Sequence, residues 1–284
     1  MIIDEQIKIR EITPQDKTQL ANLIHFGTYV HRHLDWRPPL DWIGHPPFTG
    51  IESRGKLLAA LSCAPDPAEI AWIRLFVISS QFGQANAWRK LWDTTKQQLI
   101  AEKVSILAAI PLQKWFRTLL EDHNFQNLNN VISMALDNPD MSLLAKPKPT
   151  NIRPMQSNDL EEVAIVDKSA FEPLWSNSRI LLELAFEQAI YATVAYDDAG
   201  ITAYQITTPT QYGSHLGRLA VHPRVQEKGI GYALLYNLQD HFKNEYDFRL
   251  SVNTQDDNHR SIGLYTKAGF TQTTEFFPVY QYIF

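Results

Sequence analysis

Residues Arg218–Leu235 read RLAVHPRVQEKGIGYALL. An apolar strand-like run ends at a proline turn, and an apolar helical run begins after two glycines that flank one isoleucine. Gly229 and Gly231 stand where a helix opens, although each glycine costs about 1 kcal/mol of helix stability relative to alanine. A glycine-rich turn between a strand end and a helix start gathers unpaired N–H groups, and the helix dipole adds partial positive charge there. Such a turn is an anion site, and the missing Cβ atoms let a bulky anion approach the main chain. The residue choice favours contact with a diphosphate over helix strength.

The flanking sequence parses into a mixed α/β unit. NIRPM is a short strand, Asn158 or Asp159 caps a helix to about Phe171, and Ser178 opens another through Gln188. YATVAYDDAGITAYQIT reads as two strands around Asp197–Gly200, a strong hairpin signal. HLGRLAV is a strand, and Ile230, Leu234, Leu235 and Leu238 give Gly229–Phe242 a helical spacing. FRLSV is a strand, His259–Ala268 a helix stopped by Gly269, and TQTTEFFPVYQYIF the closing strand or two. The order β-α-α-β-β-β-α-β-α-β implies a sheet that is antiparallel at first and gains a parallel neighbour through the Gly229 helix.

The pattern is written twice. Ile9-Arg10 and Asp16 recur at an offset of 143 as Ile152-Arg153 and Asp159. RLFVIS (Arg74–Ser79) recurs at 144 as RLAVHP, and LLEDHNF (Leu119–Phe125) at 145 as LYTKAGF. A nearly constant offset is the mark of a tandem duplication. Residues Leu143–Asn151, with two prolines, read as the linker, so domains are expected at 1–145 and 150–284.

Composition bounds the function. The 284 residues are 44% hydrophobic and 20% charged, with a net charge of −5. This balance argues against general nucleic-acid binding through a basic surface. No apolar run approaches the ~20 residues of a membrane helix. The N-terminus MIIDEQIKIREI lacks a signal-peptide core, and the single Cys63 excludes an internal disulfide, so a cytoplasmic setting is expected. Residues 149–284 hold 10 basic and 16 acidic side chains, a weak bias toward a cationic partner such as an amine.

Neither G-x-G-x-x-G nor the Lys-Ser/Thr of a P-loop is present. Instead, VHPRVQEKGIGYALL resembles the Q/R-x-x-G-x-G/A acetyl-CoA loop of the GNAT superfamily of acyl-CoA-dependent N-acyltransferases. NHRSIGLYTKAGF (Asn258–Phe270) resembles that family's second signature, and FEPLWSNS (Phe171–Ser178) is similar to an acceptor-side loop of the branch acetylating ribosomal-protein N-termini. The resemblance covers residues 150–284 and implies an acetyl-CoA-dependent N-acetyltransferase fold and activity. It implies that backbone amides of Gln226, Glu227, Lys228, Gly229, Ile230 and Gly231 hold a pyrophosphate. Leu219, Ala220 and Val221 would pair with the pantetheine arm, and Asn258 would contact it or position the second helix. Tyr265 would protonate the departing thiolate, which a phenol of pKa ~10 can do.

The group that takes the amine's proton is less plainly written. Ser251 stands where the N-terminal-amine branch often carries Glu. Two other branches place Glu or His six residues before the valine of the preceding strand; here that residue is His215, whose ordinary pKa of ~6.5 suits a base. Glu172 is the second candidate. The acceptor is expected to be a small-molecule amine or a protein N-terminus, attacked directly, with no metal. A non-catalytic acetyl-CoA-binding scaffold and a mycothiol-synthase-like acyltransferase are the alternatives. In the first half the loop glycines map onto Ala85 and Ala87, Gln226 onto Phe82 and Tyr265 onto Leu120, so it reads as a worn, non-catalytic copy. Trp88 and Trp92 read as core or interface, Trp36 and Trp42 as a proline-rich loop, and Cys63 as core. His31 and His33 lack a third metal ligand.

Overall fold

A computed structural model describes residues 7–137, 141–245 and 248–284; the first six residues, Met1–Gln6, part of the segment argued against export, lie outside them. The chain forms two compact units, Met1–Leu128 with Pro278–Phe284, and Asn129–Phe277. The first half of the sequence contains β1 (Ile7–Glu11), α1 (Lys17–Phe26), β2 (Tyr29–Arg32), β3 (Phe48–Ser53), β4 (Lys56–Ser62), β5 (Ile70–Trp72), β6 (Leu75–Ile78), α2 (Gln84–Ala101), β7 (Ile106–Ala109), α3 (Lys114–Glu121) and β8 (Gln126–Asp137). The second contains β9 (Ile152–Pro154), α4 (Leu160–Ala170), α5 (Arg179–Glu187), β10 (Tyr191–Asp197), β11 (Gly200–Thr210), β12 (Gly213–Val221), α6 (Ile230–Phe242), β13 (Arg249–Gln255), α7 (His259–Lys267) and β14 (Thr271–Ile283).

The duplication is visible in atomic detail. Each half opens with an arginine bonded to the aspartate that caps its first helix: Arg10 to Asp16 at 2.7 Å and Arg153 to Asp159 at 2.6 Å. The same carboxylates accept from the backbone N–H of Thr13 (2.9 Å) and Gln156 (2.8 Å). Farther along, β5 runs parallel to β7 with Ile70, Ala71 and Trp72 opposite Ile106, Leu107 and Ala108. Adding 144 to every number gives the parallel register of β12 with β13: Ser214, His215 and Leu216 opposite Leu250, Ser251 and Val252.

The two units do not follow the linear split at 145–150. Val131–Asp137 of β8 pair with Arg249–Gln255 of β13, both inside the second unit. Tyr280–Ile283 of β14 pair with Ile106–Ala109 of β7, both inside the first. Each unit is completed by a strand segment written at the end of the other half. Met134 and Leu136 accordingly sit in the core of the second unit with Tyr232, Leu238, Tyr265 and Phe270, while Tyr280 joins the first core. That first core is built on Trp88 and Trp92, stacked at 5.4 Å, with Phe76, Phe116 and Cys63.

In the second unit β9, β10, β11 and β12 are antiparallel neighbours, and β13 joins β12 in parallel. The β10–β11 turn is tightened by Asp197, whose Oδ1 accepts from Ala199 N at 2.9 Å, and by Gly200 at φ 108°. In β12, Ile206 and Thr207 of β11 face Arg218 and Leu216, so Gly217 is the extra residue of a β-bulge. The bulge re-aims the side chains that follow it.

Candidate active site

The ladder between β12 and β13 ends at Leu216 and Val252, yet β12 runs on to Val221 and β13 to Gln255. Two parallel strands that part leave a wedge, and Leu219–Val221 line it with an edge no described strand pairs. At its mouth α6 begins. Gly229 is the helix N-cap in a left-handed conformation at φ 89°, and Glu227 is also left-handed at φ 63°. A Cβ on Gly229 would meet nothing within 4 Å, whereas one on Gly231 would come within 3.1 Å of Leu264 Cδ2 and 3.5 Å of Val221 Cγ2. The two glycines thus answer different demands: backbone hand at Gly229, close packing of the helix start at Gly231.

The first backbone bond of the helix runs from Ala233 N to Gly229 O at 3.0 Å. Among the described residues, the N–H groups of Glu227 through Gly231 have no protein acceptor, as expected for a helix start. Gln226 ties the loop down by donating Nε2 to Val221 O at 2.9 Å. Arg260, in the first turn of α7, lies 3.2 Å from Glu227 and brings an exposed cation to the same loop beside Lys228. Asn258 caps α7, its Oδ1 accepting from Ser261 N at 3.2 Å.

His215 and Ser251 face each other across the closed end of the wedge, Nδ1 to Oγ at 2.9 Å. Ser251 Oγ also lies 3.4 Å from Ser214 O, which accepts its proton. In that arrangement Nδ1–H donates to Ser251 and Nε2 keeps its lone pair. Burial pushes the His215 pKa down from its ordinary value, so the ring is neutral at pH 7.

Tyr265 is 5% exposed and packs on Phe270. Burial pushes its phenol up to about 12, while the Arg218 guanidinium pulls the other way. No hydrogen bond joins His215 to Tyr265 among the described residues. Glu172 is exposed at the head of the 3-10 turn Pro173–Trp175.

Arg218 is a hub that the motif did not reveal. It donates to both oxygens of the fully buried Asp167 at 2.7 and 2.9 Å and to Trp175 O at 2.6 Å, and stacks on Phe171 at 3.6 Å. Asp167 also accepts from Tyr204 Oη and from Asn177 N. A single side chain of β12 thereby clamps the loop Phe171–Ser178. Its counterpart Arg74 bonds to Asp35 at 2.9 Å and stacks on Trp42 at 4.4 Å. The recurring arginine was legible at an offset of 144; its carboxylate partners were not, because Asp35 and Asp167 break that spacing.

The parting parallel strands thus set an open strand edge beside a glycine-opened helix start. Residues 160–270 match the family model described as Acetyltransferase (GNAT) family. Solved structures share the fold of the whole chain. A tandem GNAT protein from the clavulanic acid biosynthesis pathway aligns with a TM-score of 0.64 at 14% identity, over 98% of each chain. A GCN5-related N-acetyltransferase from Sphaerobacter thermophilus aligns at 0.61 and 14% identity, over 100% of this chain and 97% of that one. Another from Anabaena variabilis ATCC 29413 aligns at 0.70 and 14%, over 98% and 73%. No curated protein matches the sequence. The fold is a tandem GNAT arrangement, and the class of activity it supports is acyl transfer. Among the described residues, no helix is long and apolar enough to cross a membrane, and none form a cluster of three potential metal ligands.

Proposed function

We propose that the second unit transfers an acetyl group from acetyl-CoA to a primary amine, of a small molecule or a protein N-terminus, by direct attack in the cytoplasm. The observation that carries this reading is the wedge past Leu216, bordered by the free N–H groups of Glu227–Gly231. Those amides and the α6 dipole suit a pyrophosphate, with Lys228 and Arg260 adding positive charge. The open edge of Leu219–Val221 suits the amides of a pantetheine arm, as an added strand would.

His215 Nε2 takes a proton from the attacking ammonium, directly or through water, and Ser251 holds the required tautomer. Tyr265 gives its phenolic proton to the sulfur as the carbon–sulfur bond breaks, so the coenzyme leaves as a thiol. Arg218 keeps the loop Phe171–Ser178 fixed where the acceptor enters. Gly229→Glu adds bulk and negative charge at the anion site. It is expected to weaken acetyl-CoA binding at least ~100-fold by calorimetry, with an unchanged circular dichroism spectrum. Unchanged affinity would remove the loop from the assignment.

A further inference from the structure

The exact correspondence of the two parallel ladders fixes where a coenzyme wedge belongs in the first unit. Because β5–β7 match β12–β13 at an offset of 144 in both partners, β6 (Leu75–Ile78) is the counterpart of Leu219–His222, the open arm. β4 flanks β6 on one side, as β11 flanks β12. The other edge of β6, the wedge edge, is taken. Strand β2 pairs along it, with Tyr29, Val30, His31 and Arg32 opposite Ile78, Val77, Phe76 and Leu75.

The pairing is anchored at both ends: Thr28 N donates to Ile78 O at 2.9 Å and His33 N to Arg74 O at 3.0 Å. His31 is buried, its Nε2 3.1 Å from Ile73 O and its ring stacked on Phe116 at 4.0 Å. Gly27 lets the chain turn from α1 onto β6, since a Cβ there would fall 2.6 Å from Leu23 O and 3.0 Å from Val77 Cγ2.

Sequence explains why only this half does it. In the second unit the chain after α4 passes through a 3-10 turn into α5 and leaves the edge of β12 free. In the first, Pro38, Pro39, Pro46 and Pro47 forbid a counterpart of α5, and TYVHR, rich in strand-forming residues, pairs instead. The anion loop is lost independently: α2 opens on Gly83 at φ −78°, without the left-handed backbone of Gly229.

We propose that β2 is the built-in occupant of the first unit's coenzyme wedge, so that each chain takes a single acyl-CoA. This rests on the reading of the second unit's wedge as the coenzyme site. The test is titration of the full chain with acetyl-CoA by calorimetry, in wild type, in Gly229→Glu, and in a Val30→Cys/Val77→Cys variant oxidised to cross-link β2 to β6. Cys63 is buried and does not compete for the bridge. The expected result is one site per chain in wild type, the same site within about two-fold affinity in the cross-linked form, and none in Gly229→Glu. Two sites per chain of which one survives Gly229→Glu, a second site lost on cross-linking, or failure of the bridge to form would overturn the inference alone, whereas a single site unmoved by Gly229→Glu would overturn the loop assignment of the second unit and this inference with it. No binding in wild type would overturn the coenzyme reading of the second unit, and this inference with it.

Discussion

At Gly229 the backbone lies at φ 89° with open space around it, so the residue is dictated by conformation and by what approaches from outside. At Gly231 the neighbours Leu264 and Val221 dictate it from inside. The same distinction separates the two catalytic candidates. Tyr265 is pushed up to about 12, so it stays protonated across the neutral range and is available as an acid. Tyr265→Phe is expected to lower kcat about 100-fold and leave the acetyl-CoA Kd within two-fold; full turnover would exclude the phenol from the chemistry. His215 has its pKa lowered by burial, so its basic form persists below pH 6.5. His215→Ala should depress kcat/KM most near neutrality and recover at high pH, where free amine is plentiful. A constant ratio of wild type to variant across pH would deny it the role of base. Motif position alone singles out both as candidates, whereas the Ser251 contact has no such signal, because it joins two strands 36 residues apart.

Among the elements, β2 is the one whose behaviour sequence did not foretell. The sequence offers its His31 and the following His33 no third metal ligand, and both rings stack on aromatic side chains instead, the buried His31 on Phe116 and the half-buried His33 on Trp72. Burial drives His31 down to about 4 from an ordinary 6.5, and His33 lies well below 6.5 as well. The folded state therefore refuses a proton that the unfolded chain accepts. The stability this contributes is complete above pH 6.5 and is lost as pH falls toward about 4. Thermal melts across that window should show the Tm falling, and His31→Phe should flatten part of the fall; parallel curves would contradict it. The helices and hairpin of the second half, by contrast, fell where caps and turn residues put them, with Ser178 accepting from Leu181 N at 3.2 Å. Local signals suffice when the partners are three or four residues away.

For the molecule as a whole, the exchanged strand segments matter most. A fragment of residues 150–284 lacks Val131–Asp137, the partner of β13, and exposes the edge and the core that Met134 and Leu136 cover. It is expected to aggregate, whereas residues 126–277 should give a monomeric folded unit by gel filtration and circular dichroism. A well-folded monomer from 150–284 would show that the segment is dispensable. The amino-acid order alone determined the duplication, the element order, the glycine turn that opens α6 and the position of Tyr265, since each is written in contiguous residues or at a repeating interval. Only the tertiary structure decided which strand completes each unit, that Arg218 clamps the loop Phe171–Ser178 through Asp167, and that β2 pairs along β6. Those depend on pairing and burial between residues far apart in the chain, where the free energy of a contact leaves no local pattern.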